Sequence, residues 1–147
     1  MRFAWTMAVV ALLSAPLAVA AGKTPDERQL AYLEARAAHA APREQCLLYA
    51  ELVNTSTDVV LIRMQGGADE QALTMLRSIQ GYVSHIDPNQ AKSAKKLKSA
   101  EILLSQAAFK LKEMLLSAPF EDRPLLEHTL KRVNEAQSAL LLQVFAR

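Results

Sequence analysis

Cys46 is the one thiol in this 147-residue chain, and only three histidines, His39, His85 and His128, accompany it. Metal, nucleophile and haem chemistry each require such groups at defined spacings. No His-Glu-x-x-His or Glu-x-x-His pattern occurs, which removes the usual basis for a zinc protease or a di-iron bundle. No Cys-x-x-Cys-His is present for covalent haem. A noncovalent haem or small-molecule carrier would have to recruit Met64 or Met75 with His128, although methionines at core spacing ordinarily fill space. Cys46 has Arg43 three residues away on a helix but no cation on its own apolar face to activate it. There is no Gly-x-Ser-x-Gly elbow and no glycine-rich phosphate loop. Carboxylates fall mainly on outward faces. The expectation is a protein that is not an enzyme, with no metal and no cofactor.

The elements that would position these residues are helices. Apolar residues recur with a 3.6-residue period after Thr24, and no alternation with period two persists. Thr24-Pro25-Asp26-Glu27 reads as a capping box opening a helix that runs to about His39. Pro42 opens a second, which stops at Gly66-Gly67. A third covers about Asp69 to His85. Asp87-Pro88 reads as the cap of a fourth, which would continue to about Ser117 for roughly 43 Å. Asp122, helped by Pro124, caps a fifth that runs nearly to Arg147. Short loops make neighbouring helices antiparallel. The fold class is therefore all-α, an up-and-down, bundle-like domain of about five helices.

Each helix has a readable register. Cys46, Val53 and Val60 are seven apart, whereas Glu44, Glu51 and Asp58 repeat on another face, so Cys46 should point inward. Leu126, Val133 and Leu140 form the seam of the fifth helix, with Glu127, Lys131 and Glu135 outside. The fourth helix is anomalous. Leu97, Leu104 and Leu111 form one seam with Ala100, Ala107 and Met114, and Ile102, Phe109 and Leu116 form a second almost opposite. Either this helix is sandwiched between others, or the second stripe is an exposed patch for a partner or a dimer. Lys92, Lys95, Lys96 and Lys98 lie at its start as a basic flank, in which Lys98 could pair with Glu101. No aromatics interleave, so a solvated face is the plainer reading.

Residues 1–21 give an address. Arg2 precedes an apolar run from Phe3 to Val19, and Ala18-Val19-Ala20-Ala21 supplies small residues for cleavage: a secretory signal peptide, with one helical domain over residues 22–147. Thr6, Ser14 and Pro16 interrupt the run, which disfavours an uncleaved membrane anchor. The remaining domain carries 16 Lys+Arg against 15 Asp+Glu, a net charge near +1. Bulk charge therefore favours no nucleic acid, and membrane contact is expected only through an uncleaved leader or weakly through the basic flank. A single cysteine cannot close an internal disulfide.

The segments Cys46–Val53 and Lys96–Glu101 and the ending Gln143-Val144-Phe145 resemble a group of small exported all-helical bacterial proteins. That resemblance implies a compact helical domain and a periplasmic or secreted location, with no activity, ligand or site residue attached. The second helix, Gly66-Gly67 and the third also look like one tetratricopeptide-type hairpin. The functional expectation is an exported, noncatalytic binding, scaffold or adaptor protein of the cell envelope. Its candidate contacts are Ile102, Phe109 and Leu116, flanked by Lys92, Lys95, Lys96 and Lys98. The alternatives are a self-associating homodimer through the fourth helix and, behind it, the haem or small-molecule carrier.

Overall fold

The computed structural model describes residues 25–146. The signal segment and the Thr24 cap lie outside the described residues. Five helices follow in order: α1 (Pro25–His39), α2 (Pro42–Gln65), α3 (Asp69–Ser84), α4 (Ala94–Ser117) and α5 (Arg123–Phe145). Proline in the first turn of α2 and of α5 costs no helical hydrogen bond there. At the end of α2, Gly67 takes φ +77°, a conformation that side chains with a Cβ rarely adopt. That turn lets Gly67 N–H donate to Met64 C=O and Ala68 N–H to Arg63 C=O, which satisfies the terminal carbonyls and starts α3 at once.

The start of α4 differs from the sequence expectation. Asp87 caps only one 3₁₀ turn, Pro88–Gln90, by accepting from Asn89 N–H. The chain then extends through Ala91, and Ser93 caps α4 by accepting from Lys96 N–H. The helix is therefore 24 residues, about 36 Å rather than 43 Å, and Lys92 precedes it. Asp122 likewise makes no side-chain cap on α5. Instead Arg123 Nε donates to Ala118 C=O and closes the α4–α5 turn.

Side-chain bridges reveal how the helices run. Glu44–Lys96, Asn54–Gln106 and Asp58–Lys110 all join α2 to α4 at a constant separation of 52 residues, so these two helices are parallel. Arg63 donates to Gln71 C=O beside the α2–α3 turn, and Tyr49 stacks on His85 at the far end, so α2 and α3 are antiparallel. Gln137 donates to Glu101 between antiparallel α4 and α5. Gln80 donates to Thr129, joining α3 to α5. Direction alternates along the chain as expected, and the order around the bundle is α2–α3–α5–α4. Two antiparallel hairpins, α2–α3 and α4–α5, thus lie side by side, α2 against α4 and α3 against α5. On the other side of α2–α3 lies α1, joined by Arg63–Glu27, by Gln45 to Ala37 C=O and by the Tyr82 hydroxyl donating to Glu34. The layers are therefore α1, then α2–α3, then α4–α5.

The main core lies between the two hairpins. It holds Val53, Val60, Leu76, Ile79, Leu97, Leu104, Leu111, Leu126, Val133 and Leu140. Ala100 and Ala107, fully buried, allow α4 its close approach. A smaller cluster of Leu30, Ala37, Leu48, Leu52 and Val59 seats α1. Ser56 Oγ is buried with no hydrogen-bond partner among the described residues.

These positions differ in what a truncation costs. Leu104→Ala is expected to lower the unfolding free energy by about 2–5 kcal/mol, and exposed Leu116→Ala to change it by less than about 0.5 kcal/mol. Ser56→Ala removes an unsatisfied buried hydroxyl and should raise stability by about 1 kcal/mol. Urea unfolding followed by far-ultraviolet circular dichroism checks all three.

Candidate binding face on the α4–α5 hairpin

The buried residues of α4, from Leu97 through Leu104 and Leu111, face the two hairpins' shared core. Ile102, Phe109 and Leu116 repeat on the opposite side, where they are 45%, 64% and 75% exposed. Burial between neighbouring helices, one of the two expectations for this stripe, does not occur. Among the described helices, those packed on α4 are α2 and α5.

The exposed apolar surface extends beyond these three residues. Phe120 in the α4–α5 turn is exposed, as are Leu141, Leu142 and Phe145 on α5. Among the described residues, seven of the nine large exposed hydrophobic side chains belong to α4, the turn after it, or α5. The other two are Tyr32 on α1 and Ile62 on α2. A groove of about 690 Å³ runs along α5 past Leu130, Lys131, Ser138 and Leu142. Leu140-Leu141-Leu142 held the missed signal. Consecutive residues on a helix are 100° apart, so only one of the three can sit in the seam, and it is Leu140.

The basic flank is divided. Lys95 and Lys98 are exposed on α4. Lys96 is half-buried and paired with Glu44, across the join between α2 and α4. That hydrogen bond from the Lys96 ammonium holds the Glu44 carboxyl below its ordinary range. Lys92 borders a shallow cleft with Arg43, Glu44, Ser93 and Lys96. Glu101, a sequence-based partner for Lys98, accepts a hydrogen bond from Gln137. Two of the evenly spaced carboxylates on α2, Glu44 and Asp58, do more than meet water, since they receive lysines from α4. Lys110 also donates to Asn54 and was not singled out by any sequence pattern.

Of the groups with chemical potential, Cys46, His39 and His85 stand apart from this hairpin, whereas His128 is exposed on α5. Cys46 is buried in the main core, as its register required. Burial, with a smaller contribution from the Asp87 charge, pushes its thiol up to about 11. At pH 8 only about a thousandth of it would be thiolate, too little for an attacking nucleophile. His39, His85 and His128 are exposed. Among the described residues no group of three or more His, Cys, Asp and Glu side chains is placed to hold a metal ion. Of the haem-reading residues, Met64 lines a 370 Å³ cleft at one bundle end with Leu61, Met114 and Pro119, whereas Met75 packs against both apolar clusters. No described helix is long and apolar enough to cross a membrane.

The chain matches no family model, no curated protein and no solved structure.

The thiol gives a direct test of the packing. Cys46 should resist Ellman's reagent in the native protein and react at once after urea unfolding. Its raised pKa also sets a pH dependence. The unfolded chain ionises its thiol first, near 9, so this stabilisation is complete below that pH and is lost as pH rises toward about 11. Tyr82, pushed up to about 12 by burial and by Glu34, acts in the same direction at higher pH. Cys46→Ala should therefore flatten the fall in stability between pH 9 and 11 while leaving the later part.

Proposed function

We propose that this chain is an exported, noncatalytic binding or scaffold protein of the cell envelope, working through the outer face of α4 and α5. The single observation that supports this reading is the uneven distribution of exposed apolar side chains. Water-facing helices ordinarily carry polar residues, and contiguous exposed apolar surface marks interaction sites. The outer side of α1 follows that rule with Asp26, Arg28, Gln29, Glu34, Arg36 and His39 exposed, Tyr32 being its one large apolar exception. The α4–α5 side breaks it with Ile102, Phe109, Leu116, Leu142 and Phe145. Lys95 and Lys98 form a charged edge to that surface and would set orientation and encounter rate more than affinity.

A leader peptide with a cleavable end supports the exported location, as does the resemblance carried by Cys46–Val53 and Lys96–Glu101. A catalytic role has no support from the buried, weakly acidic Cys46 thiol.

A photo-crosslinking residue at Phe109, irradiated in living cells, tests the reading. A specific protein adduct is expected from position 109 and none from position 32 on α1. Absence of any adduct at 109, in a protein shown to be folded, would overturn the face as a binding surface.

A further inference from the structure

We infer that the occupant of this face is a second copy of the same chain, its α4 lying antiparallel on α4 with Phe109 opposite Phe109. This rests on the reading of the α4–α5 face as a binding surface and names its partner.

The layering is the first reason. The fold is a stack of α1, α2–α3 and α4–α5, in which α2 of the middle hairpin is covered by α1 on one side and by α4 on the other. At one end of the stack α1 presents a mainly polar outer surface, with Tyr32 its one large exposed apolar side chain. At the other end the described helices cover α4–α5 on one side only and leave apolar residues on the other. Stacked helical units require a polar outermost face, and a two-fold copy places the two open ends against each other with none left over.

Area is the second reason. Two helices of 24 and 23 residues form a face roughly 36 Å long and about 20 Å wide, roughly 700 Å² per copy, close to the ~800 Å² per partner of a standard stable interface.

Charge is the third. Exposed Lys95 and Lys98 make the N-terminal end of the α4 face basic, whereas at its C-terminal end Glu113 and Glu121 are balanced by Lys112 and Arg123. With Phe109 opposite Phe109, an antiparallel pair sets Ile102 beside Leu116 of the second copy and brings Lys98 toward the turn that carries its Glu121. A parallel pair would put like charges together. A face with both signs on it and little net charge is complementary to itself, whereas a strongly acidic or basic partner would find half of it opposed.

The measurement is the mass of the purified exported protein by sedimentation equilibrium from micromolar to millimolar concentration, with an oxidative crosslink as a second readout. The mass should double with concentration. Phe109→Glu and Leu116→Glu should hold it at the monomer value with unchanged helicity, and Tyr32→Glu should leave the doubling intact. Because Cys46 is buried, Phe109→Cys adds the one exposed thiol among the described residues and should give a disulfide-linked dimer under mild oxidation. A mass that stays monomeric throughout, or a dimer that persists in Phe109→Glu, would overturn the second copy. In the first of these cases, an adduct from position 109 to a different protein in cells would still uphold the binding face, and the lack of any adduct would remove both.

Discussion

The fold depends on one helix being enclosed. α2 is packed by α1, α3 and α4, and its buried residues run from Cys46 and Leu48 through Tyr49, Leu52, Val53 and Ser56 to Val59 and Val60. So much apolar circumference leaves only a narrow strip for water. On that strip stand Glu44, Glu51 and Asp58, and two of these carboxylates reach Lys96 and Lys110 of α4. The apolar faces make the two hairpins associate. The charge seam fixes which residues of α4 lie beside which residues of α2. Exposed pairs of this kind contribute little stability, and their use here is in register.

That enclosure leaves α4 in a different position from α2. Both are 24-residue helices and both lie in the middle of the sequence. Among the described helices α2 has a layer on each side, and α4 has one side only. The side on which no described helix packs carries Ile102, Phe109 and Leu116, and there the candidate surface lies.

The seams were legible because periodicity reports which face of a helix is apolar. Cys46, Val53 and Val60, Leu97, Leu104 and Leu111, and Leu126, Val133 and Leu140 all point inward as their spacing requires. Periodicity does not report what stands opposite a face, so the second stripe of α4 fitted burial and exposure equally well until its neighbours were placed. In the basic flank Lys92, Lys95 and Lys98 are exposed, as a solvated face requires, and only Lys96 departs from that reading, for the same reason. Lys96 has no partner within its own helix, and Glu44, 52 residues away, comes beside it only because α2 and α4 run parallel. Asp87-Pro88 satisfied the local rule for a helix start, but the chain has to travel from the end of α3 across to α4. An extended stretch through Ala91 and Ser93 covers that distance where a continuous helix would point elsewhere.

This crossing segment has a kinetic side. Each hairpin joins its two helices through a short turn, three residues after α2 and five after α4, so contacts within a hairpin begin at small separations beside the turn, as in Arg63–Gln71, and lengthen away from it. Local contacts close quickly because little chain entropy is lost in bringing them together. The bridges between α2 and α4 span 52 residues and pass through residues 85–93. Docking of one hairpin on the other therefore closes a longer loop, at a larger entropy cost, than the contacts beside either turn. Buried Ala91 belongs to that event: its burial in the main core is complete only when the two hairpins have met.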